Sequence, residues 1–224
     1  MQASGHHELF FEGDRLAKAG VRVEMDFYDR VFSEEQTNRD IISLRALMPR
    51  YYGRQMRGET ELMVMENMCF NMTFPCILDV KLGTVTWFAD AAAKKVKSKS
   101  GKADRTTSSQ LGFRIAGRVY KDAEGNQTNR WDKNDKFAIN STNIMENFVN
   151  FVSGRGRVRV DVAQKFLEAT KLTLDWFMVQ KSLCFCAPSL LYIYDQGTDE
   201  VRCCAKAIDF AYVRDSTDYD HSES

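Results

Sequence analysis

Residues Pro75–Gly83 read Pro-Cys-Ile-Leu-Asp-Val-Lys-Leu-Gly, and no other stretch of the chain leaves it so little freedom. Ile77, Leu78, Val80 and Leu82 are apolar and favour extended backbone. Proline opens the run and glycine closes it, as the edges of a strand require. Asp79 and Lys81 interrupt it two residues apart, so on a strand both side chains point to the same face. Taking a carboxylate and an ammonium out of water is costly. Such a strand either buries an internal ion pair or carries two charged groups to a site.

A chain of 224 residues makes one large domain or two intimate lobes with a substantial core. Hydrophobic residues are 44% and charged residues 28%, the balance of a globular protein. Lys+Arg and Asp+Glu stand at 31 each, so overall charge selects no partner. Neither a run of about 18 apolar residues nor a signal-peptide pattern occurs, which predicts no membrane span and no secretion. The six cysteines make no C-x-x-C pair, and most sit in apolar, strand-like surroundings. Reduced core thiols in a cytoplasmic or nuclear protein are expected, rather than a metal centre.

Local charge is more telling. Residues 94–105 carry six basic side chains against one acidic, directly after the Asp-x-Lys strand. Lys95, Lys99 and Lys102 are spaced by four and three, which aligns them on one helical face. Ser98, Ser100 and Gly101 are poor helix formers, so ligand is expected to complete this helix. A basic run elsewhere would read as a solvated face or a nucleic-acid contact, but no aromatic platform accompanies these lysines.

The remaining chain reads coarsely. Residues 5–14 predict a strand and tight turn, and Leu16–Lys18 the returning strand. A helix is expected over 23–48, a strand over 61–65, a helix over 141–152 capped by Ser141, and a packing helix over 161–181. In that last helix Val162, Phe166, Thr170, Leu174 and Phe177 form the apolar stripe.

The nonapeptide at 75–83 resembles the P-x-x-x-D-x-K-x-G signature of the inositol polyphosphate kinase family, matching every fixed position. Glu24-Met25-Asp26-Phe27-Tyr28, Pro49-Arg50-Tyr51-Tyr52-Gly53, Gly112-Phe113-Arg114 through Gly117, Ser189-Leu190-Leu191 and Ile208-Asp209-Phe210-Ala211 resemble further family motifs in the right order. The resemblance implies an α+β, two-lobed protein-kinase-like fold with a short substrate-binding helical insert. Residues 1–68 would form the N-terminal lobe and 69–224 the C-terminal lobe, with the substrate segment at 84–105.

It also implies an ATP- and Mg²⁺-dependent kinase acting on inositol polyphosphates, working as a monomer without nucleic acid. Gly5-His6 and Lys18 match the family's Gly-His and the lysine on its next strand; Lys18 would steady the nucleotide phosphates, with Glu24 able to orient it. Glu66 and Met68 would read adenine through their main chain, and Asp209 would hold Mg²⁺. Asp79 and Lys81 would be catalytic, Asp79 binding the ribose or orienting the acceptor. Lys81, Lys95, Lys99, Lys102 and Arg114 would grip the acceptor, although Arg114 read alone equally fits a structural ion pair. Pro188 and Tyr212 depart from the family pattern, which has serine and usually histidine there; Ser189 is retained. The short span from Gly83 to Gly112 argues against the trisphosphate 3-kinases, and Val80 leans towards multikinases. A hexakisphosphate kinase making pyrophosphates is the alternative, followed by an inactive scaffold and an RNA-binding protein.

Overall fold

Two antiparallel sheets organise the chain. The computed structural model describes residues 9–88, 90–121, 127–128, 134–154 and 156–218, without the side chains of Lys95, Lys121, Gln127 and Thr128. Gly5-His6 and the turn expected near Glu124 lie outside the described residues. Strand β1 (Leu9–Glu12) turns at Gly13 into β2 (Arg15–Ala19). Helix α1 (Arg22–Phe32) and helix α2 (Arg39–Leu44) follow, then β3 (Tyr51–Arg57) and β4 (Thr60–Glu66). The four strands pair in the order β1-β2-β4-β3.

The single helix expected over 23–48 is therefore two. Asn38 ends the gap between them, because its Oδ1 accepts the N–H groups of Asp40 (2.9 Å) and Ile41 (3.3 Å). Such a cap satisfies donors that a helix start leaves orphaned, worth about 0.5–2 kcal/mol. Strand β3 was not expected; its first residues contain Gly53 at φ +100° and a register shift against β4 between Tyr51 and Gly53, which mask strand alternation.

The second sheet begins with β5 (Pro75–Leu82), the predicted central strand. Helix α3 (Ala93–Asp104), the short α4 (Ser108–Leu111) and β6 (Phe113–Lys121) come next, then β7 (Gln127–Thr128), α5 (Asp135–Ala138) and α6 (Ile144–Phe151). Ser141 does not cap α6; it lies in the turn before it, where Asn140 and Asn143 bond each other instead. The tiny hairpin β8 (Ser153–Gly154) and β9 (Arg157–Val158) leads into α7 (Val160–Val179). Strands β10 (Leu183–Phe185), β11 (Ser189–Asp195), β12 (Cys203–Ile208) and β13 (Val213–Asp215) close the chain. The sheet order is β12-β11-β5-β6-β7, with β10 and β13 pairing separately.

Strand β5 is thus flanked on both sides, and its four central residues are buried. Its entry is fixed by Asp195, whose carboxylate accepts the N–H groups of Thr73, Phe74 and Gly197, each at 2.8 Å. Burial pushes that carboxyl up, but the three donors outweigh it and hold it below the usual range.

Aromatic packing joins the two sheets. Phe210 is fully buried, with ring centroids of Phe27, Tyr28 and Phe185 at 5.3, 5.8 and 5.9 Å. Trp176 of α7 packs on Phe185 at 5.8 Å and donates Nε1–H to Ser43 Oγ at 2.9 Å. A cluster of this kind contributes burial plus about 0.5–1.5 kcal/mol per ring pair. In α7 the buried residues are Val162, Phe166, Thr173 and Trp176. Leu174, expected in the packed stripe, is 57% exposed: the helix rotates its seam onto Thr173 and Trp176 to reach α2. All six cysteines are free thiols. Among the described residues no helix is long and apolar enough to cross a membrane.

Candidate active site

The register of the second sheet aligns the charged residues. Lys81 on β5 stands opposite Ser189 on β11 and Arg114 on β6, and Ser189 stands opposite Ile208 on β12. Asp209 therefore emerges at the end of β12, beside Ser189 and one strand away from Lys81. Lys81 Nζ donates to Asp209 Oδ2 at 2.9 Å and to the Ala187 carbonyl at 3.1 Å. Ser189 Oγ donates to the same carboxylate oxygen at 3.3 Å.

Asp209 has φ +67°, a left-handed backbone that aspartate tolerates better than most side chains. The conformation turns the chain so that Phe210 enters the aromatic core while the carboxylate faces out. Burial pushes the Asp209 carboxyl up. The charge and hydrogen bond of Lys81, with Lys18 and Ser189, outweigh this and hold it below the ordinary carboxylate range.

A cavity of about 340 Å³ opens over this row, lined among others by Lys18, Glu24, Lys81, Lys99, Lys102, Arg114 and Asp209. A larger hollow of about 610 Å³ lies against the N-terminal sheet between Phe10, Arg15, Tyr52 and Arg57, but it gathers none of the paired charges of the β5 row. Lys18 enters from β2 of the other sheet and Glu24 from α1, and the two form an ion pair at 3.4 Å. Glu24 sits in the first turn of α1, where the helix dipole favours a carboxylate.

Helix α3 supplies Lys99 and Lys102. It runs unbroken through Ser98, Ser100 and Gly101, against the expectation that those residues leave it dependent on ligand. Lys99 Nζ donates to the Thr86 carbonyl at 2.5 Å and lies 4.1 Å from the Tyr212 ring centroid. Burial depresses the Lys102 ammonium, and the positive charges of Lys136, Arg114, Lys81 and Lys99 depress it further. Lys95 lies on the same helix, its side chain outside the description. Arg114 is 7% exposed and donates to Ser108 Oγ at 2.8 Å. Burial lowers its guanidinium, opposed by the charge of Asp79.

Asp79 itself is 2% exposed and is not among the cavity's lining residues. Its neighbour across the sheet is Gly117, beside the bulge where the β6 register steps to Ile115. Glu66 and Met68 also stand apart from the cavity. Glu66 ends β4, its N–H donating to the Arg50 carbonyl at 2.8 Å and its carboxylate accepting the Arg50 N–H at 3.1 Å. Asn67 fastens the following turn to the β1–β2 turn through Asp14 (2.8 Å) and Gly13 (3.0 Å). The structure thus gathers Lys18, Lys81, Lys99, Lys102, Arg114, Ser189 and Asp209, and spreads Asp79, Glu66 and Met68 around them.

Sequence reasoning missed the holders. Thr86 and Ala187 act through carbonyls, which side-chain identity does not advertise. Ser108 lay in a stretch without a motif, although a serine six residues before a buried arginine was a usable signal.

Two sheets joined at a short connection, with a carboxylate and a lysine converging beneath a cation-lined cavity, define a kinase-like α+β fold. Residues 62–224 match the family model described as inositol polyphosphate kinase, and this chain belongs to that family. It is 28% identical to the inositol polyphosphate multikinase of Schizosaccharomyces pombe, over 95% of this chain and 87% of that protein. It is 26% identical to the rat multikinase, over 77% of this chain and only 44% of that protein. Among solved structures, inositol phosphate multikinase Ipk2 from S. cerevisiae, in complex with ADP and Mn²⁺, superposes with a TM-score of 0.74 at 19% identity, covering 91% of this chain and 90% of that one. A second inositol phosphate multikinase structure gives 0.67 at 26% identity, covering 87% and 89%.

Proposed function

We propose that this protein transfers the γ-phosphoryl group of ATP to a ring hydroxyl of an inositol polyphosphate. The observation that carries the reading is the convergence of Lys18, Lys81, Lys99, Lys102 and Arg114 with Asp209 on one cavity. Phosphoryl transfer between two polyanions needs fixed positive charge more than covalent chemistry. Lysines and arginine supply it as point charges and as a planar fork. The relatives named as multikinases, and the neighbour crystallised with ADP and Mn²⁺, support the same reading.

In this account Lys18, oriented by Glu24, meets the nucleotide phosphates, and the main chain at Glu66 and Met68 receives the adenine. Lys81 stabilises the charge developing on the γ-phosphoryl group. Lys99, Lys102 and Arg114, with Lys95 on the same helix, hold the acceptor phosphates. Asp79 either holds the ribose or orients the acceptor. The acceptor oxygen bonds to the γ-phosphorus as the bond from that phosphorus to the β–γ bridging oxygen breaks. ADP then departs, and the hydroxyl proton passes to solvent.

The donor set fits a hard divalent cation. Asp209 is a carboxylate held ionised by its neighbours, and Mg²⁺ typically takes one or two carboxylates, with phosphates and waters completing its shell. When bound there it would neutralise charge on the nucleotide phosphates.

Incubation with MgATP and a panel from inositol tris- to hexakisphosphate, with chromatographic identification of products, tests the proposal. Phosphorylation of free ring hydroxyls is expected. Products more highly charged than the hexakisphosphate would replace the multikinase reading with pyrophosphate synthesis. Absence of transfer to every acceptor would overturn the kinase assignment.

A further inference from the structure

The face of the N-terminal sheet turned away from Glu24 carries the larger hollow, of about 610 Å³. Adjacent strand residues point to opposite faces. Lys18, level with Met63, meets Glu24 on one face, so Ala17, level with Phe10 and Val64, looks out from the other. Ala17, Leu62 and Val64 line the hollow and give it an apolar floor.

Two arginines arch over that floor. Strands β1 and β3 are opposite edges of the sheet, yet the guanidinium carbon of Arg57 on β3 lies 3.7 Å from the ring centroid of Phe10 on β1. The guanidinium carbon of Arg15 on β2 lies 4.6 Å from the ring centroid of Tyr52 on β3. A ring face steadies a guanidinium but, unlike a carboxylate, leaves its charge unneutralised. Among the described residues neither arginine is in a salt bridge. Arg54, also at the hollow, differs: Asp26 and Asp29, each at 2.5 Å, and Glu61 at 3.2 Å offset its charge.

These features select a small anion with a flat apolar part. The volume suits one small molecule. A polynucleotide would need a longer cationic track, which Glu12 in the lining and Glu59 in the β3–β4 turn interrupt. Gln55 also lines the hollow, and a carboxamide can both donate to and accept from the edge of a base.

We propose that this hollow is a second ligand site, for a nucleoside phosphate. The base rests on the apolar floor, and Arg15 and Arg57 donate to the phosphates. The site shares no described lining residue with the transfer cavity, and it stands apart from the phosphoryl-transfer reading.

Calorimetric titration of the full chain with ADP and Mg²⁺ tests this. One binding event should depend on Arg15 and Arg57, beside any event at the transfer cavity. Both arginines are exposed, so Arg15→Gln and Arg57→Gln should fold. Each should weaken that event by about tenfold or more, the loss of a charge-assisted contact, and leave any other within about twofold. Glu12→Gln removes the opposing carboxylate and should tighten the same event, a gain that misfolding does not mimic. Inorganic pyrophosphate, which lacks a base, should bind there about tenfold more weakly than ADP. Ala17→Leu fills the floor and should weaken ADP but not pyrophosphate.

ADP binding that Arg15→Gln and Arg57→Gln leave unchanged would overturn the inference. So would arginine variants that weaken every event alike, a Glu12→Gln protein that binds ADP less tightly there, or pyrophosphate bound at that site as tightly as ADP.

Discussion

Lys81 Nζ and Asp209 Oδ2 stand 2.9 Å apart, brought together from strands separated in the sheet by β11 and in the chain by 128 positions. The contact holds the carboxylate ionised and the ammonium aimed at the cavity. Each group is thereby poised to exchange its partner for a ligand of opposite charge.

Asp209→Asn should retain the fold, since asparagine also tolerates a positive φ, and should lose the metal site. Activity at ordinary Mg²⁺ should fall and recover in part as Mg²⁺ is raised, with a weaker apparent affinity for MgATP. Titration of velocity against Mg²⁺ checks this; a wild-type curve would remove Asp209 from metal binding.

The same residue predicts a pH effect on stability. Its folded-state carboxyl lies below the ordinary value, so its contribution is fully present above the unfolded-state pKa. That contribution is lost as pH falls through the lower folded value. The Tm difference between wild type and Asp209→Asn should therefore favour wild type near neutrality and shrink on acidification. A difference independent of pH would contradict the ion-pair account.

Lys102 should show the opposite trade. Burial and four neighbouring cations depress its ammonium, so the charged form costs folding energy at low pH. Stability is regained as pH rises from the depressed folded value towards the ordinary lysine value. Lys102→Met should raise Tm at neutral pH while weakening inositol phosphate binding, each charge-assisted contact being worth about 1.5–3 kcal/mol. Thermal melts and acceptor KM measured on the same preparation check both halves. A lower Tm, or an unchanged acceptor KM, would count against its place in the cation cluster.

Phe210 links this chemistry to the core. Phe210→Leu leaves unfilled space among Phe27, Tyr28 and Phe185 and should destabilise by about 1–3 kcal/mol. Because Phe210 also anchors the turn that aims Asp209, MgATP affinity should weaken in the folded variant. Loss of stability with unchanged MgATP affinity would show that the turn holds without its anchor.

Strand β5 was legible because alternation, a proline start and a glycine end agree. Lys81, Lys99, Lys102, Arg114 and Asp209 were legible because motif order placed them, and the helical spacing of α3 added one face. The break between α1 and α2 was not, since apolar spacing carries across it and only Asn38 marks the cap. Strand β3 hid behind a positive-φ glycine and an irregular register. Leu174 was misplaced because periodicity gives a stripe but not the direction in which a neighbour lies. The groups seen beside Lys99 were out of reach: a backbone carbonyl leaves no trace in composition, and Tyr212 read only as a departure from a pattern.

The central claim is that Lys81 drives phosphoryl transfer within a cavity that binds both polyanions. Single-turnover transfer by Lys81→Met, compared with wild type at saturating MgATP and inositol tetrakisphosphate, tests it most directly. The account predicts a rate lower by about 10²–10³-fold, the loss usual for one preorganised electrostatic group, with Tm changed by no more than the equivalent of about 1–2 kcal/mol. A Lys81→Met protein that transfers phosphate at a rate near that of wild type would contradict it.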